Sequence, residues 1–255
     1  MNLFEKFKQL HHNPEPFVLG NVWDVNSAKV FEASGYKAIG VSSQALSNAW
    51  GYNDGENLPF DILLQVAKRV VEVVKIPFSV DMEGGYSNSV TGIIDNINKL
   101  HDAGVVGINL EDTVPGDNRG FRPVDEFQKT LSAIAEHISR NNLGIFVNVR
   151  TDAFLLGLPN ALDETLTRIK SYQNTGADGI FVPCITAADD IGATVNESKL
   201  PINVMCMPAL PDFDALQALG VKRISMGPFI FSKVYGNAAA MAKAVMADRN
   251  FLSIL

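Results

Sequence analysis

A chain of 255 residues, 47% hydrophobic and 19% charged, has room for one large barrel or two small domains around a sizeable core. A net charge of −7 with no Lys/Arg-rich run excludes sequence-independent nucleic-acid binding and leaves no electrostatic footprint for an anionic membrane. Two cysteines, Cys184 and Cys206, are too few for a disulfide framework and point to a reducing cytoplasm, and no segment is apolar for long enough to span a bilayer.

Leu3, Phe4, Phe7 and Leu10 at helical spacing predict a leading helix. A repeating grammar follows. Strands are predicted over Phe17–Val22, Lys37–Ser42, Pro77–Asp81, Val106–Leu110, Gly144–Val149, Gly179–Val182, Ile202–Met205 and Lys222–Met226. Helices fill the gaps between them, and the chain closes with an Ala-rich helix from about Phe229 to Ala247. In four places a helix stops at a glycine and an isoleucine follows four positions later: Gly35/Ile39, Gly104/Ile108, Gly176/Ile180 and Gly220/Ile224. Glycine suits the left-handed position past a helix end, and the isoleucine then falls in a buried strand. Eight strands alternating with helices in one domain, 1–255, have the size and rhythm of a (β/α)8 barrel. A doubly wound sheet is the runner-up, but its glycine-rich phosphate fingerprint is missing after the first strand, which runs into Asn21-Val22-Trp23-Asp24.

Barrel enzymes carry their chemistry at the C-terminal strand ends. The third strand ends in Asp81 and Glu83, which share a face because successive strand side chains alternate. Asn109 and Glu111 share a face on the fourth, and Asn148 and Arg150 on the fifth. The second ends in Ser42-Ser43-Gln44, and the seventh carries Asn203. Asp81 and Glu83 alone fit a helix cap as well as a cation site. With Glu111 roughly 5 Å away, each ionised pair costs about 3 kcal/mol, and three pairs cost about 10 kcal/mol, comparable to a domain's stability. Arg150 alone does not cancel that, so either a divalent cation sits among these acids or some are protonated, the cation being the simpler account.

Val80-Asp81-Met82-Glu83-Gly84-Gly85-Tyr86, Asn109-Leu110-Glu111-Asp112 and Asn148-Val149-Arg150-Thr151-Asp152 together resemble the isocitrate lyase/phosphoenolpyruvate mutase superfamily. Gly51-Tyr52-Asn53-Asp54-Gly55, Asn203-Val204-Met205 and the start Asn21-Val22-Trp23-Asp24 fit it too. The resemblance implies a (β/α)8 TIM barrel that binds Mg2+ (or Mn2+) and a small α-oxo-carboxylate, and cleaves a bond through a pyruvate-enolate-like species. It implies Asp81 as direct metal ligand, with Glu83 and Glu111 holding metal-bound waters. Asp54 would support that shell or touch substrate, Ser42, Ser43 and Gln44 would receive the carboxylate, and Arg150 would pair with the oxo-acid end. Asn203 is a further candidate substrate contact. The resemblance also implies a homotetramer, a dimer of dimers that exchanges its C-terminal helix, which fits the apolar residues on more than one face of that helix.

The segment Asp112–Pro123 has the Gly, Pro and Asp content of a mobile lid. It lacks the cysteine motif of the superfamily's lyases and the Lys-x-Asn-Ser pattern of its phosphonate enzymes, having Asp117-Asn118-Arg119-Gly120 instead. Isocitrate-type cleavage and P–C chemistry lose support, and a decarboxylase or hydrolase of an oxaloacetate-like acid gains. A barrel that binds oxo acids without turnover is the rival outside enzymes. Asp117, Arg119 and Arg122 read as a solvated loop tip, Cys184 and Cys206 as buried thiols, Trp23 as core or pocket wall, and the four histidines as uninvolved in catalysis.

Overall fold

The computed structural model describes residues 1–116 and 119–255, and the lid residues Asp117 and Asn118 lie outside them. Its eight barrel strands are β1 (Phe17–Val22), β2 (Ala38–Val41), β3 (Phe78–Asp81), β4 (Gly107–Glu111), β5 (Phe146–Arg150), β6 (Gly179–Val182), β7 (Ile202–Met205) and β8 (Arg223–Ser225). All pair in parallel with their sequence neighbours, and β8 closes on β1, so the predicted (β/α)8 barrel is the fold. All eight predicted strands are present.

The strands read as apolar runs because both of their faces are covered. Outward-facing Ile108, Leu110, Val147 and Val149 are buried under helical stripes such as Leu63/Ala67/Val70, Ile93/Ile97/Leu100 and Phe127/Leu131/Ile134. Each stripe repeats at three or four residues, the period that keeps one helix face on the barrel.

The leading helix, Leu3–Leu10, plugs the N-terminal end of the barrel. Phe7 is buried edge-on against Phe17 and Phe146, and the His11 ring stacks on Phe146 with centroids 3.9 Å apart. A Cβ on Gly107 would lie 2.5 Å from the Phe7 ring, so this strand start has to be glycine for the plug to seat. Burial, then the nearby Arg223 guanidinium, holds the His11 imidazole well below its ordinary range, so it is neutral in the fold.

Two elements were not expected. Ser42 caps a seven-residue helix, Ser43–Ala49, by accepting from the Ala45 N–H at 3.3 Å. The lid's ends pair as a small antiparallel ribbon, Thr113–Val114 with Gly120–Phe121. At the ribbon's base Arg168 bonds Asp112 at 3.0 Å and stacks on Phe121 at 3.5 Å. The closing helix, Phe229–Asp248, has no buried residue, and Val234, Tyr235 and Met246 are among its exposed apolar side chains. No helix is long and apolar enough to cross a membrane among the described residues.

Candidate active site

The barrel order brings the ends of β2 to β5 side by side, and with them the polar residues singled out above. They open on a cavity of about 360 Å3 lined by Ser42, Ser43, Gln44, Asp54, Asp81 and Arg150, among others. Asp81 ends β3, where its Oδ2 accepts from the Ser43 hydroxyl at 3.0 Å, while its Oδ1 is buried with no partner among the described residues. Asp54, on the loop after the Ser43–Ala49 helix, likewise has a buried Oδ1 with no partner among them. Burial, and then the charge of Asp81, raises its carboxyl above the ordinary range.

Glu83 does not continue the strand alternation. Its backbone turns into the left-handed region, φ +49°, and its carbonyl accepts from Glu111 N–H at 2.8 Å. Its carboxylate accepts from the Glu56 N–H at 2.9 Å and the Tyr86 hydroxyl at 3.2 Å. Burial first, then Asp54, Asp81 and Glu111, push its carboxyl up to about 8. Glu111 is fully buried and accepts from Thr113, while burial, opposed by Arg150 and Arg119, lifts it to about 7.

The charge balance differs from the sequence expectation. Arg150 is not alone, because Arg119 of the lid reaches inward to Glu111 at 3.0 Å and to Asp152 at 2.8 Å. Its reading as a solvated loop tip is therefore wrong. Arg122 is also partly buried, donating to the Gly84 carbonyl at 3.3 Å. Asp152, which the sequence reading left without a role, is fully buried and ties the two arginines together, accepting from Arg150 Nε at 2.6 Å. Burial alone would raise its carboxyl, but Arg150 and Arg119 outweigh burial and hold it below the ordinary range. The period-2 argument applied to Asp81 and Glu83 would have put Asp152 on Arg150's face. Arg150 also lies 3.2 Å from Glu111 and 3.9 Å from Asp81.

Asn203 is a correction. It sits one layer below the cavity, accepting from Asn148 and Ser225 at 3.1 Å and donating to the carbonyls of Val204 and Arg223. Met205, two residues on, reaches the cavity in its place. Beneath it, fully buried Arg223 bonds Asn109 at 3.3 Å and has no carboxylate in salt-bridge range among the described residues. Burial pulls its guanidinium down to about 9. The cysteines are not buried thiols: Cys184 is half-buried and Cys206 exposed.

The donor set fits a hard cation held largely through water. Among the described residues no three carboxylates or imidazoles are placed to ligate one ion directly. The expectation of Asp81, Glu83 and Glu111 as a metal-binding set is thereby narrowed, since Glu83 and Glu111 spend their oxygens on protein donors. Mg2+ needs only one or two carboxylates plus water, and the unpartnered oxygens of Asp81 and Asp54 suit that.

A pH dependence follows for the metal-free protein. Glu83 and Glu111 keep protons in the fold that the unfolded chain releases near 4.5, so the native state binds more protons and stability falls as pH rises towards 8. His11 is neutral in both states above its ordinary 6.5 and does not oppose this. Urea midpoints at about pH 6.5 and 8.5 should therefore decline with pH, and Glu83→Gln should flatten the decline. A midpoint that rises over this interval would contradict the assigned shifts.

Comparison with known proteins identifies the family. The family model described as phosphoenolpyruvate phosphomutase matches residues 7–246. The uncharacterized protein Rv1998c of Mycobacterium tuberculosis (strain ATCC 25618 / H37Rv) is 34% identical over 94% of this chain and 88% of its own length. Oxaloacetate decarboxylase of Paraburkholderia xenovorans (strain LB400) is 26% identical over 89% of this chain and 77% of its own. The crystal structure of phosphonopyruvate hydrolase complexed with oxalate and Mg2+ shares the fold with a TM-score of 0.88 at 22% identity, covering 100% of this chain and 90% of that one. With its strand-end acids and arginine in one cavity and a family match over nearly its whole length, this chain belongs to the phosphoenolpyruvate phosphomutase family, within the phosphoenolpyruvate mutase/isocitrate lyase superfamily.

Proposed function

We propose that this protein is a Mg2+-dependent lyase that binds an α-oxo-carboxylate and cleaves a carbon–carbon bond to leave a pyruvate-enolate-like species, with Mn2+ as a possible substitute metal. The observation that carries the reading is the pairing, in one cavity, of an Asp81 carboxylate with an unpartnered oxygen and an Arg150 guanidinium locked by Asp152. When bound, the divalent cation supplies Lewis-acid stabilisation of negative charge on the oxo-acid oxygens.

This chain's own side chains do the rest. Asp81 would hold the metal, and Glu83 and Glu111 would accept hydrogen bonds from the water around it. Arg150 faces the oxo-acid end and stabilises charge that develops as the bond breaks. Its grip by Asp152 fixes the guanidinium before substrate arrives, so no reorganisation is needed at the moment of reaction. Ser42 spends its hydroxyl on the helix cap, leaving Ser43 and Gln44, in the first turn, to offer N–H groups to the substrate carboxylate. Asp54, raised in pKa and unpartnered at Oδ1, is the residue suited to hold or accept a proton in the cavity. Arg119 completes the site from the lid.

Pyruvate release from a panel of 2-oxo and 2-hydroxy acids, with and without Mg2+, tests the reading. Metal-dependent release supports it, and oxo-acid binding without release would instead leave a binding barrel. The Paraburkholderia xenovorans relative favours a second reading, decarboxylation of an oxaloacetate-like acid, which the same panel separates by its CO2 yield. A homo-oligomer is part of the proposal. The exposed apolar face of the Phe229–Asp248 helix and the uncovered groove outside β1 and β8, lined by Val18, Tyr36, Phe213 and Met226, are complementary surfaces for a second copy. No nucleic-acid or membrane partner is proposed, and the reaction is placed in the cytoplasm.

A further inference from the structure

We infer that the substrate carries a single carboxylate, on its oxo-acid head, and ends in a neutral, apolar group. The inference rests on the oxo-acid reading above and adds what lies beyond the head. Going round the barrel, the cavity changes character at β5. Over β2 to β5 its wall is Ser43, Gln44, Asp54, Asp81, Asn109 and Arg150. Over the loop after β5 and the ends of β6 to β8 it is Leu155, Leu156, Phe181, Pro183, Met205 and Pro228. Two polar residues close the ring beyond it: Ser225 is committed to the barrel interior by its bond to Asn203 at 3.1 Å, and Asn21 of β1 accepts from the Met226 and Gly227 N–H groups. An oxo acid with its head against Arg150 therefore directs its other end at hydrocarbon.

The placement of the cations gives the same answer. Among the described residues the guanidinium groups that line the cavity are Arg119 and Arg150, both on its polar side and already engaged by Glu111 and Asp152. Arg223 lies deeper, bonded to Asn109 at 3.3 Å. None stands on the apolar arc to meet a second substrate carboxylate. The lid positions outside the described residues are Asp117 and Asn118, and neither is a cation. A carboxylate placed against the apolar arc would lose its hydration and gain no partner.

The matched pair 2-oxovalerate and 2-oxoglutarate tests this, because they differ chiefly in a terminal methyl against a carboxylate on chains of equal length. Calorimetric titration of the whole protein in saturating Mg2+, with pyruvate as the head-group reference, reads both levels. Pyruvate should bind, 2-oxovalerate should bind about tenfold tighter, and 2-oxoglutarate should bind no tighter than pyruvate. If pyruvate binds and 2-oxoglutarate matches or exceeds 2-oxovalerate, the single-carboxylate inference is overturned while the oxo-acid reading stands. If none of the three binds, the oxo-acid reading itself falls. Leu155→Arg, at a side chain exposed enough to accept the change without disturbing the fold, should reverse the order of the pair. An unchanged order in that variant would remove the apolar arc as the determinant.

Discussion

Arg150→Met is expected to cost about 3–5 kcal/mol of stability, because it strips a buried carboxylate of its partner. Asp152 is fully buried and takes two bonds from Arg150, at 2.6 and 3.1 Å, and Glu111 beside it is also fully buried. Arg119 remains after the substitution, but one partly exposed lid guanidinium cannot replace the lost bidentate contact. Urea denaturation measures the loss, and pairing the change with Asp152→Asn should recover much of it, since the stranded charge is then gone. If the double variant is no more stable than Arg150→Met alone, the coupling has been misassigned. Activity should fall in both variants, because the guanidinium proposed to meet the substrate is missing from each.

Asp81→Asn is expected to do the opposite to the fold and the worst to the chemistry. The substitution keeps the side chain's shape and the Ser43 contact while removing a charge that acts on Asp54 and Glu83. The metal-free variant should be at least as stable as the parent, the usual pattern where a site is held strained for function. Mg2+ titration should show no heat of binding, and metal-dependent turnover should drop by about a thousandfold or more, roughly 4 kcal/mol of lost transition-state stabilisation. Undiminished Mg2+ binding would remove Asp81 from the metal site.

The barrel was legible because its grammar is local. Gly35/Ile39 and its three repeats announce a helix end and a strand, and the four strands they open, β2, β4, β6 and β8, all form. Asp81, Glu111 and Arg150 were legible for a related reason: a charged residue at the end of an apolar strand has few structural explanations. The sequence argument failed where side chains meet across distance or off the strand geometry. Arg119 looks like a loop tip until the ribbon Thr113–Val114/Gly120–Phe121 folds it back over Glu111. Glu83 lies two residues after Asp81, but the positive φ that aims it has no signature in a non-glycine residue. Asn203 has the right face and the wrong layer, a depth that periodicity does not encode. Ser42-Ser43-Gln44 read as a strand end, although a serine cap ahead of Ala45 and Leu46 is itself a signature of the short helix.

The bare closing helix has a consequence in mass action. A twenty-residue element that buries none of its residues fully, and meets its own barrel through Phe231 against Trp23, contributes little to the cohesion of the isolated subunit. The uncovered flank of β1 and β8 is then the weak seam of a lone chain, and the second copy proposed above would, by covering it, tie folding to protein concentration. Each tenfold dilution would then remove about 1.4 kcal/mol per binding event from the apparent stability. The robustness of the distant candidate site would become a property of how much of the protein is present, as well as of its sequence.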